Sequence, residues 1–206
     1  MSNKSNSTRL PFWRPTSAAA AAITIVALPG FLVGSFAPQI KEDLNFGDTE
    51  LGALLTFGYL VSSIIMQTGG GIADRKGPQL IIRAGISIAA ISSFLVGTTA
   101  QTYVVLLLCI GLNRVGEGLI QPATNTLISN GVEQPRQGIA MAAKQSAVPF
   151  STALAGLAVP ILGSSIGWEG TFLILAALAF PAWLLVPNIA VTKSGTFPSR
   201  RDMWRY

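Results

Sequence analysis

The sequence predicts an all-α membrane protein with six transmembrane helices. Half of its 206 residues are hydrophobic, only 11% are charged, and the mean hydropathy is +0.53. A soluble domain usually carries about 25% charged residues, so this chain has too few charges to cover a water-facing surface. The apolar residues form six long stretches, and the basic residues gather on alternate gaps between them. Because the apolar runs are continuous rather than alternating, a membrane β-barrel is excluded.

A helix that crosses a bilayer needs roughly 20 mostly apolar residues. Six stretches meet this requirement, and the gaps between them contain the Gly, Pro, Asn and Asp residues typical of turns. The first stretch is not a cleaved signal peptide, because its apolar core exceeds the usual ~7–15 residues. The predicted spans are residues 16–37, 51–70, 80–100, 103–125, 138–163 and 170–189.

The charged residues predict the orientation of the bundle. Basic residues precede the first span, occupy the second and fourth gaps and fill the C-terminal tail, whereas the other gaps carry acidic residues and Lys41. The positive-inside bias then places both termini of this segment in the cytoplasm, and we expect a bacterial inner (plasma) membrane. Residues 1–15 form the predicted N-terminal tail, 16–190 the six-helix bundle and 191–206 the start of a basic cytoplasmic loop. The net charge of +5 therefore indicates a lipid bilayer as partner and no nucleic acid.

The fourth span carries a polar face. Arg114 lies close to its middle, where insertion of an arginine costs ~2.5–3.5 kcal/mol. Glu117, Gln121 and Asn125 follow at offsets of three, seven and eleven residues, which places all four side chains on one helical face. Such a face must contact protein or water. It indicates either an ion pair that ties helices together, or a wall of a cavity with a role in conformational change.

Two other spans carry polar side chains. In the second span a stripe at helical spacing indicates either hydrogen bonds between helices or another cavity wall; it consists of Gly52, Thr56, Tyr59, Ser63 and Gln67. In the fifth span Lys144 lies six residues inside, about 9 Å along a helix. It either snorkels to the headgroups or faces the cavity as an anchor for an anion, with Gln145 on the same wall. Pro149, and Pro29 in the first span, are expected to bend their helices.

The residues that soluble enzymes use are missing from the sequence. The chain has no histidine, and its one cysteine, Cys109, lies in an apolar run. It therefore has no paired Cys or His metal ligands, and it also lacks a phosphate-binding loop and a Gly-x-Ser-x-Gly elbow. We expect no enzymatic activity and no cofactor.

A short charged stretch separates the second and third spans. It reads Gly-Gly-Ile-Ala-Asp-Arg-Lys-Gly over residues 70–77 and resembles the signature of the major facilitator superfamily of secondary transporters, Gly-x-Leu-Ala-Asp-Arg-x-Gly followed by two basic residues. In that family the signature lies in the cytoplasmic loop between helices 2 and 3. Ile72 replaces the usual Leu, and Pro78 and Gln79 replace the basic pair. We predict a tight turn here, in which Gly77 permits a backbone conformation that a side chain would not.

The fourth and sixth spans extend the resemblance over essentially the whole chain. Residues 110–118 are similar to the family pattern Leu-x-x-x-Arg-x-x-Gln-Gly in helix 4, with Glu117 in place of Gln, and residues 167–174 resemble the start of helix 6. The helix 5 pattern of drug–proton antiporters, Gly-x-x-x-Gly-Pro-x-x-Gly-Gly, is absent. The Lys144-Gln145 pair instead resembles helix 5 of facilitators for organic or inorganic anions.

The resemblance implies a transporter of a small solute, with an organic anion favoured, that works by alternating access with ion or proton coupling. The family fold is two six-helix bundles with substrate bound between them. This chain corresponds to the N-terminal bundle, made of two three-helix inverted repeats, and we expect a C-terminal six-helix half as its partner. The alternatives are a natural half that assembles with another chain, a proton-coupled drug or metabolite efflux antiporter, and a non-transporting six-helix membrane protein.

The resemblance and the polar positions together give the candidate site residues. The expected cytoplasmic gate consists of Gly70, Asp74, Arg75 and Gly77. In the family the aspartate helps to hold the outward-open state against the second bundle. The expected substrate or proton pathway consists of Arg114, Glu117, Gln121, Lys144, Gln145, Tyr59 and Gln67.

Overall fold

The computed structural model describes residues 11–188, and the regular structure of this part is entirely helical. Most of the predicted N-terminal tail and the whole basic loop at 191–206 lie outside the described residues. The helices are α1 (Trp13–Ser35), α2 (Ala37–Leu44), α3 (Asp48–Lys76), α4 (Pro78–Thr99), α5 (Tyr103–Gly131), α6 (Gln134–Leu162) and α7 (Gly167–Leu185). Six of them are long and apolar enough to cross a membrane, which confirms the predicted six spans.

The short helix α2 was not predicted. It follows α1 after a break at Phe36, whose backbone lies at φ −90° and ψ 10°. Pro38 has no N–H to donate to the carbonyl of Gly34, which weakens the hydrogen-bond ladder of α1 where the backbone of Phe36 departs from helical geometry. The chain therefore starts a new helix, which ends at Asn45 in the left-handed conformation. By contrast, α1 and α6 continue through Pro29 and Pro149.

The boundary between α3 and α4 corrects the predicted position of the turn. The span was expected to end at residue 70, but α3 continues to Lys76, so Asp74 and Arg75 lie in its last helical turn. Basic residues are favourable there because they face the negative end of the helix dipole. Only Gly77 separates the two helices, at φ 90° and ψ 139°, a conformation that favours glycine. Pro78 then occupies the first position of α4, where its missing N–H is not needed.

The bundle is organised around α1 and α5, which contact each other. Helix α3 packs mainly on α5, α6 packs mainly on α1, and α4 and α7 pack on each other and against α5 and α1. The contacts follow a symmetric pattern in which α1 corresponds to α5, α3 to α6 and α4 to α7. Under this correspondence, the α3–α5 contact becomes the α6–α1 contact. Likewise, the α4–α5 contact becomes the α7–α1 contact. This pattern agrees with two inverted three-helix repeats.

Glycines bring α5 into close contact with both of its neighbours. A Cβ atom on Gly116 would lie 2.7 Å from the carbonyl oxygen of Gly85 in α4. On the other side of α5, a Cβ atom on Gly118 would lie 2.7 Å from the carbonyl oxygen of Ser62 in α3. Small residues permit such close approach in membranes, where the hydrophobic effect does not drive helices together. The position of α5 is therefore fixed from both sides.

The loops gather at two ends of the bundle that differ in charge. At one end, which we call the acidic end, Lys41 pairs with Asp48 at 2.6 Å. At this end the indole N–H of Trp168, at the start of α7, donates to Asp43 at 2.7 Å. This hydrogen bond joins the α2–α3 region to the α6–α7 region.

The opposite end, which we call the basic end, holds the α3–α4 and α5–α6 connections. Arg136, at the start of α6, lies over the ring of Phe12, with its guanidinium carbon 5.9 Å from the ring centroid. Arg83 of α4 donates to the carbonyl oxygen of Val186, just after α7, at 2.9 Å. Successive spans therefore run in alternating directions, as the charge pattern predicted, and the described basic loop residues other than Lys41 lie at one end.

Candidate functional site

The centre of α5 carries a buried ion pair. The side chain of Arg114 is 3% exposed, and that of Glu117 is 14% exposed. The guanidinium Nη1 of Arg114 donates to Oε2 of Glu117, one helical turn further along. The two residues that the sequence singled out in the fourth span therefore face the same side of the helix and neutralise each other.

Two glycines from other helices make the space that Arg114 occupies. A Cβ atom on Gly30 of α1 would overlap Nη2 of Arg114, and one on Gly58 of α3 would lie 3.1 Å from its Cγ. We call this space the glycine slot. Gly58 was not among the predicted site residues. No sequence signal marks it, because the slot exists only where three helices meet.

Tyr59 covers the glycine slot from outside the bundle. The guanidinium carbon of Arg114 lies 4.6 Å from the centroid of the Tyr59 ring, a cation–π contact. Tyr59 is itself 53% exposed. The Nε of Arg114 is buried without a hydrogen-bond partner among the described residues, and so are both amide atoms of the adjacent Asn113. Unpaired buried polar groups are costly, so this level of α5 is a candidate for a functional role.

Lys144 lies inside the bundle and does not snorkel. Its side chain is 2% exposed, and its Nζ donates to Oδ1 of Asn125 at 2.6 Å and to the carbonyl oxygen of Gln121 at 3.4 Å. Both partners are neutral oxygens of α5. Gln121 is half-buried and takes part through its backbone. Gln145, the next residue of α6, is exposed, so the structure does not bring it onto the surface that Lys144 contacts.

The polar stripe of α3 lies on an exposed face of the helix. Thr56, Tyr59, Ser63 and Gln67 are all exposed, and the Ser63 hydroxyl donates to the carbonyl oxygen of Tyr59 within the same helix. Within the described residues these positions form no hydrogen bonds to other helices. The stripe therefore faces away from the bundle, and only Tyr59 also contacts the buried ion pair.

The charged motif at the end of α3 contacts the end of α5. The carboxylate of Asp74 accepts a hydrogen bond from the hydroxyl of Thr126 at 3.3 Å. Gly70 is half-buried against Pro122, which an added Cβ would approach to 3.8 Å. Arg75 is exposed. Thr126 was not predicted, because the contact joins positions 52 residues apart in the sequence.

Comparison with known proteins identifies the family of the chain. The family model described as Major Facilitator Superfamily matches residues 19–204. This chain belongs to the major facilitator superfamily. Within residues 11–188, no three His, Cys, Asp or Glu side chains converge to hold a metal ion.

Several curated members of the superfamily are similar to the chain. An MFS-type efflux pump of Mycolicibacterium smegmatis is 26% identical over 180 residues, covering 82% of this chain and 42% of the pump. The protein named "Probable anion transporter 3, chloroplastic" of Arabidopsis thaliana is 24% identical over 75% of this chain and 30% of its own length. The Hexuronate transporter of Bacillus subtilis is 24% identical over 68% of this chain and 33% of its own length. The chain spans less than half the length of these relatives.

Proposed function

We propose that this bundle is the N-terminal half of a superfamily transporter that moves a small organic anion by alternating access, coupled to protons. Buried charge is the observation that carries the proposal. Two basic side chains, Arg114 and Lys144, are buried in the described bundle, and Glu117 is the one acidic side chain paired with either of them. A protonated Lys144 leaves an excess positive charge inside the membrane. An anionic substrate supplies the missing negative charge, because ionisable groups within membranes are stable only when paired or hydrated.

The Arg114–Glu117 pair suits proton coupling. When Glu117 is ionised, it neutralises Arg114. When Glu117 takes up a proton, Arg114 becomes available to a substrate carboxylate, for which its planar guanidinium group offers bidentate geometry. Because the partner is on the same helix one turn away, the exchange requires no movement of the backbone. Substrate and proton would then travel in the same direction, as in a symporter.

Exposed polar faces support a second six-helix bundle as partner. Only 17% of the most apolar segment of α3, and likewise of α6, is buried, compared with 67% for α1. The exposed stripe of α3 would be costly against lipid tails, so it favours a protein or water-filled surface. We propose that the stripe lines the cavity between two bundles that rock about a central site. We also propose that the protein lies in a bacterial inner membrane, with both termini of this segment on the cytoplasmic side.

The experiment that tests this function is uptake into proteoliposomes that contain the complete protein. With an inward proton gradient, we expect accumulation of a labelled sugar acid or other small carboxylate, together with acidification of the lumen reported by a trapped pH dye. A cationic drug and a neutral sugar serve as comparison substrates in the same vesicles. Uptake of the cation or the neutral sugar without any carboxylate would contradict the anion assignment.

A proton-coupled efflux antiporter is the second candidate, favoured by one observation. The efflux pump of M. smegmatis aligns with 82% of this chain, a larger share than the anion or hexuronate transporters cover. The helix 5 pattern of drug antiporters is absent from residues 138–163. The same vesicles with the proton gradient reversed distinguish the two functions, because an antiporter then exports protons as the drug enters and makes the acidic lumen more alkaline.

Asp74→Asn should reduce the transport rate about tenfold while changing the substrate affinity less than twofold, because the gate acts on the conformational change and not on binding. A tenfold loss corresponds to about 1.4 kcal/mol of barrier. Turnover and KM in proteoliposomes provide the measurement. Asp48→Asn is the matched control, since it removes an exposed carboxylate at the acidic end. An unchanged turnover for Asp74→Asn would count against the gate.

A further inference from the structure

A cavity of about 630 Å³ lies between α4 and α7 at the basic end, where its lining includes Arg83, Ser87 and Trp183. It is separate from the glycine slot, which α1, α3 and α5 enclose. The transport mechanism proposed above uses none of its residues. The cavity lies on the side of the bundle formed by the α4–α7 pair.

Arg83 lines this cavity as a cation that has no anionic partner among residues 11–188. One of its terminal nitrogens donates to the carbonyl oxygen of Val186 at 2.9 Å, and its guanidinium carbon lies 4.7 Å from the centroid of the Trp183 ring. Its Nε is buried and has no hydrogen-bond partner among the described residues. The ion pairs within residues 11–188 are Lys41–Asp48 and Arg114–Glu117, so Arg83 has no carboxylate partner there. The contacts hold the guanidinium in place, and within the described part of the chain its charge is uncompensated.

The depth of the cavity matches the boundary between headgroups and acyl chains. Arg83 lies five residues into α4, about 8 Å along the helix, and Trp183 lies two residues before the end of α7. Trp is typical of this boundary. Leu80 lines the cavity and is exposed, and Leu184, which follows Trp183 in α7, is exposed as well. A ligand that suits the site therefore carries a negative charge at one end and hydrocarbon at the other.

We propose that this cavity binds an anionic phospholipid, with Arg83 contacting the headgroup phosphate and the acyl chains lying along the exposed leucines. A basic pocket between helices is a favourable site for such headgroups, because a charge-assisted hydrogen bond to phosphate is strong away from bulk water. Bound lipid would bridge α4 and α7, which belong to different repeats of the bundle.

Native mass spectrometry of the purified complete protein tests the proposal. After transfer from bilayers containing phosphatidylglycerol and phosphatidylcholine, we expect wild-type protein to retain one phosphatidylglycerol. Arg83→Gln should weaken that binding at least tenfold in a lipid titration. Arg136→Gln is the matched control, because it removes an arginine at the same end that also lies over an aromatic ring. Ala84→Phe, which fills the cavity and keeps the charge, should also lose the lipid.

The remaining outcomes separate the lipid from other ligands. Equal retention of phosphatidylglycerol by Arg83→Gln, Ala84→Phe and wild-type protein would overturn the proposal. So would equal retention of phosphatidylcholine by wild-type protein, since the site would then not select negative charge. If free glycerol phosphate displaces the lipid at equal concentration, the site binds a soluble anion and the assignment to a lipid is wrong. If Arg83→Gln does not fold, Ala84→Phe decides alone.

Discussion

Replacing Arg114 with alanine should lower transport by about a hundredfold or more and should also reduce the stability of the protein. The change leaves Glu117 buried opposite the two glycines without its cation, and removal of one partner of a buried pair typically costs ~3–5 kcal/mol. Loss of about 3 kcal/mol of substrate or transition-state binding already corresponds to a hundredfold effect. Uptake in proteoliposomes, normalised to the amount of folded protein, provides the measurement.

Two further variants separate transport from folding at this position. Arg114→Ala combined with Glu117→Gln removes both charges, so it should recover membrane abundance while transport stays lost. Gly30→Val keeps Arg114 but takes the space that its guanidinium occupies, so it should reduce transport as strongly as Arg114→Ala does. Arg136→Ala, at the exposed basic end, controls for loss of a positive charge and should transport normally. Normal uptake by Arg114→Ala at normal abundance would refute its role.

Lys144→Gln should raise the KM for an anionic substrate on the order of tenfold to a hundredfold, or about 1.4–2.8 kcal/mol of binding. The variant retains a hydrogen-bond donor for Asn125 and removes the charge that has no acidic partner in the described bundle. Because the substrate is the expected counter-charge, affinity should fall more than the maximal rate. The measurement is the concentration dependence of uptake for the carboxylate identified in the substrate panel.

The matched control for this lysine is Lys41→Gln, which removes a charge at the acidic end that is already paired with Asp48. It should leave the KM unchanged. Lys144→Arg keeps the positive charge but places it on a larger guanidinium group, so its KM should lie between that of Lys144→Gln and that of the wild type. A KM for Lys144→Gln equal to that of the wild type would show that the lysine only ties α6 to α5. Arg114 would then be the only buried cation of the described bundle left to bind the negative charge of the substrate.

Most of the fold could be predicted because each span is specified locally. Continuous apolar runs of bilayer length gave six helices, and the alternation of basic and acidic gaps gave the direction of each one. The exact ends were less predictable. The α3 helix continues through the charged Asp74–Lys76 segment, because the conformation of Gly77, and not the change in polarity, ends it.

The site was only partly predictable, because its geometry depends on contacts between helices. Helical spacing was sufficient to pair Arg114 with Glu117. It was not sufficient to decide whether Lys144 reaches the headgroups or the interior, since the length of its side chain permits both. Gly58 matters through its contact with Arg114 of α5, and Thr126 of α5 matters through its contact with Asp74 of α3. Both partners are far away in sequence, so no local pattern marks either residue. The helical spacing of polar residues in the second span marked Tyr59, but nothing in the sequence indicated that its ring contacts Arg114.

The glycine slot also bears on how the protein is made. Gly30 and Gly58 belong to helices that leave the ribosome before α5 does, so both glycines precede Arg114 into the membrane. An arginine inserted alone would pay the full penalty of leaving water, whereas here Glu117 follows within one turn and two earlier helices are ready to enclose the pair. Biosynthesis from N- to C-terminus therefore matches the order in which this charged centre must be assembled.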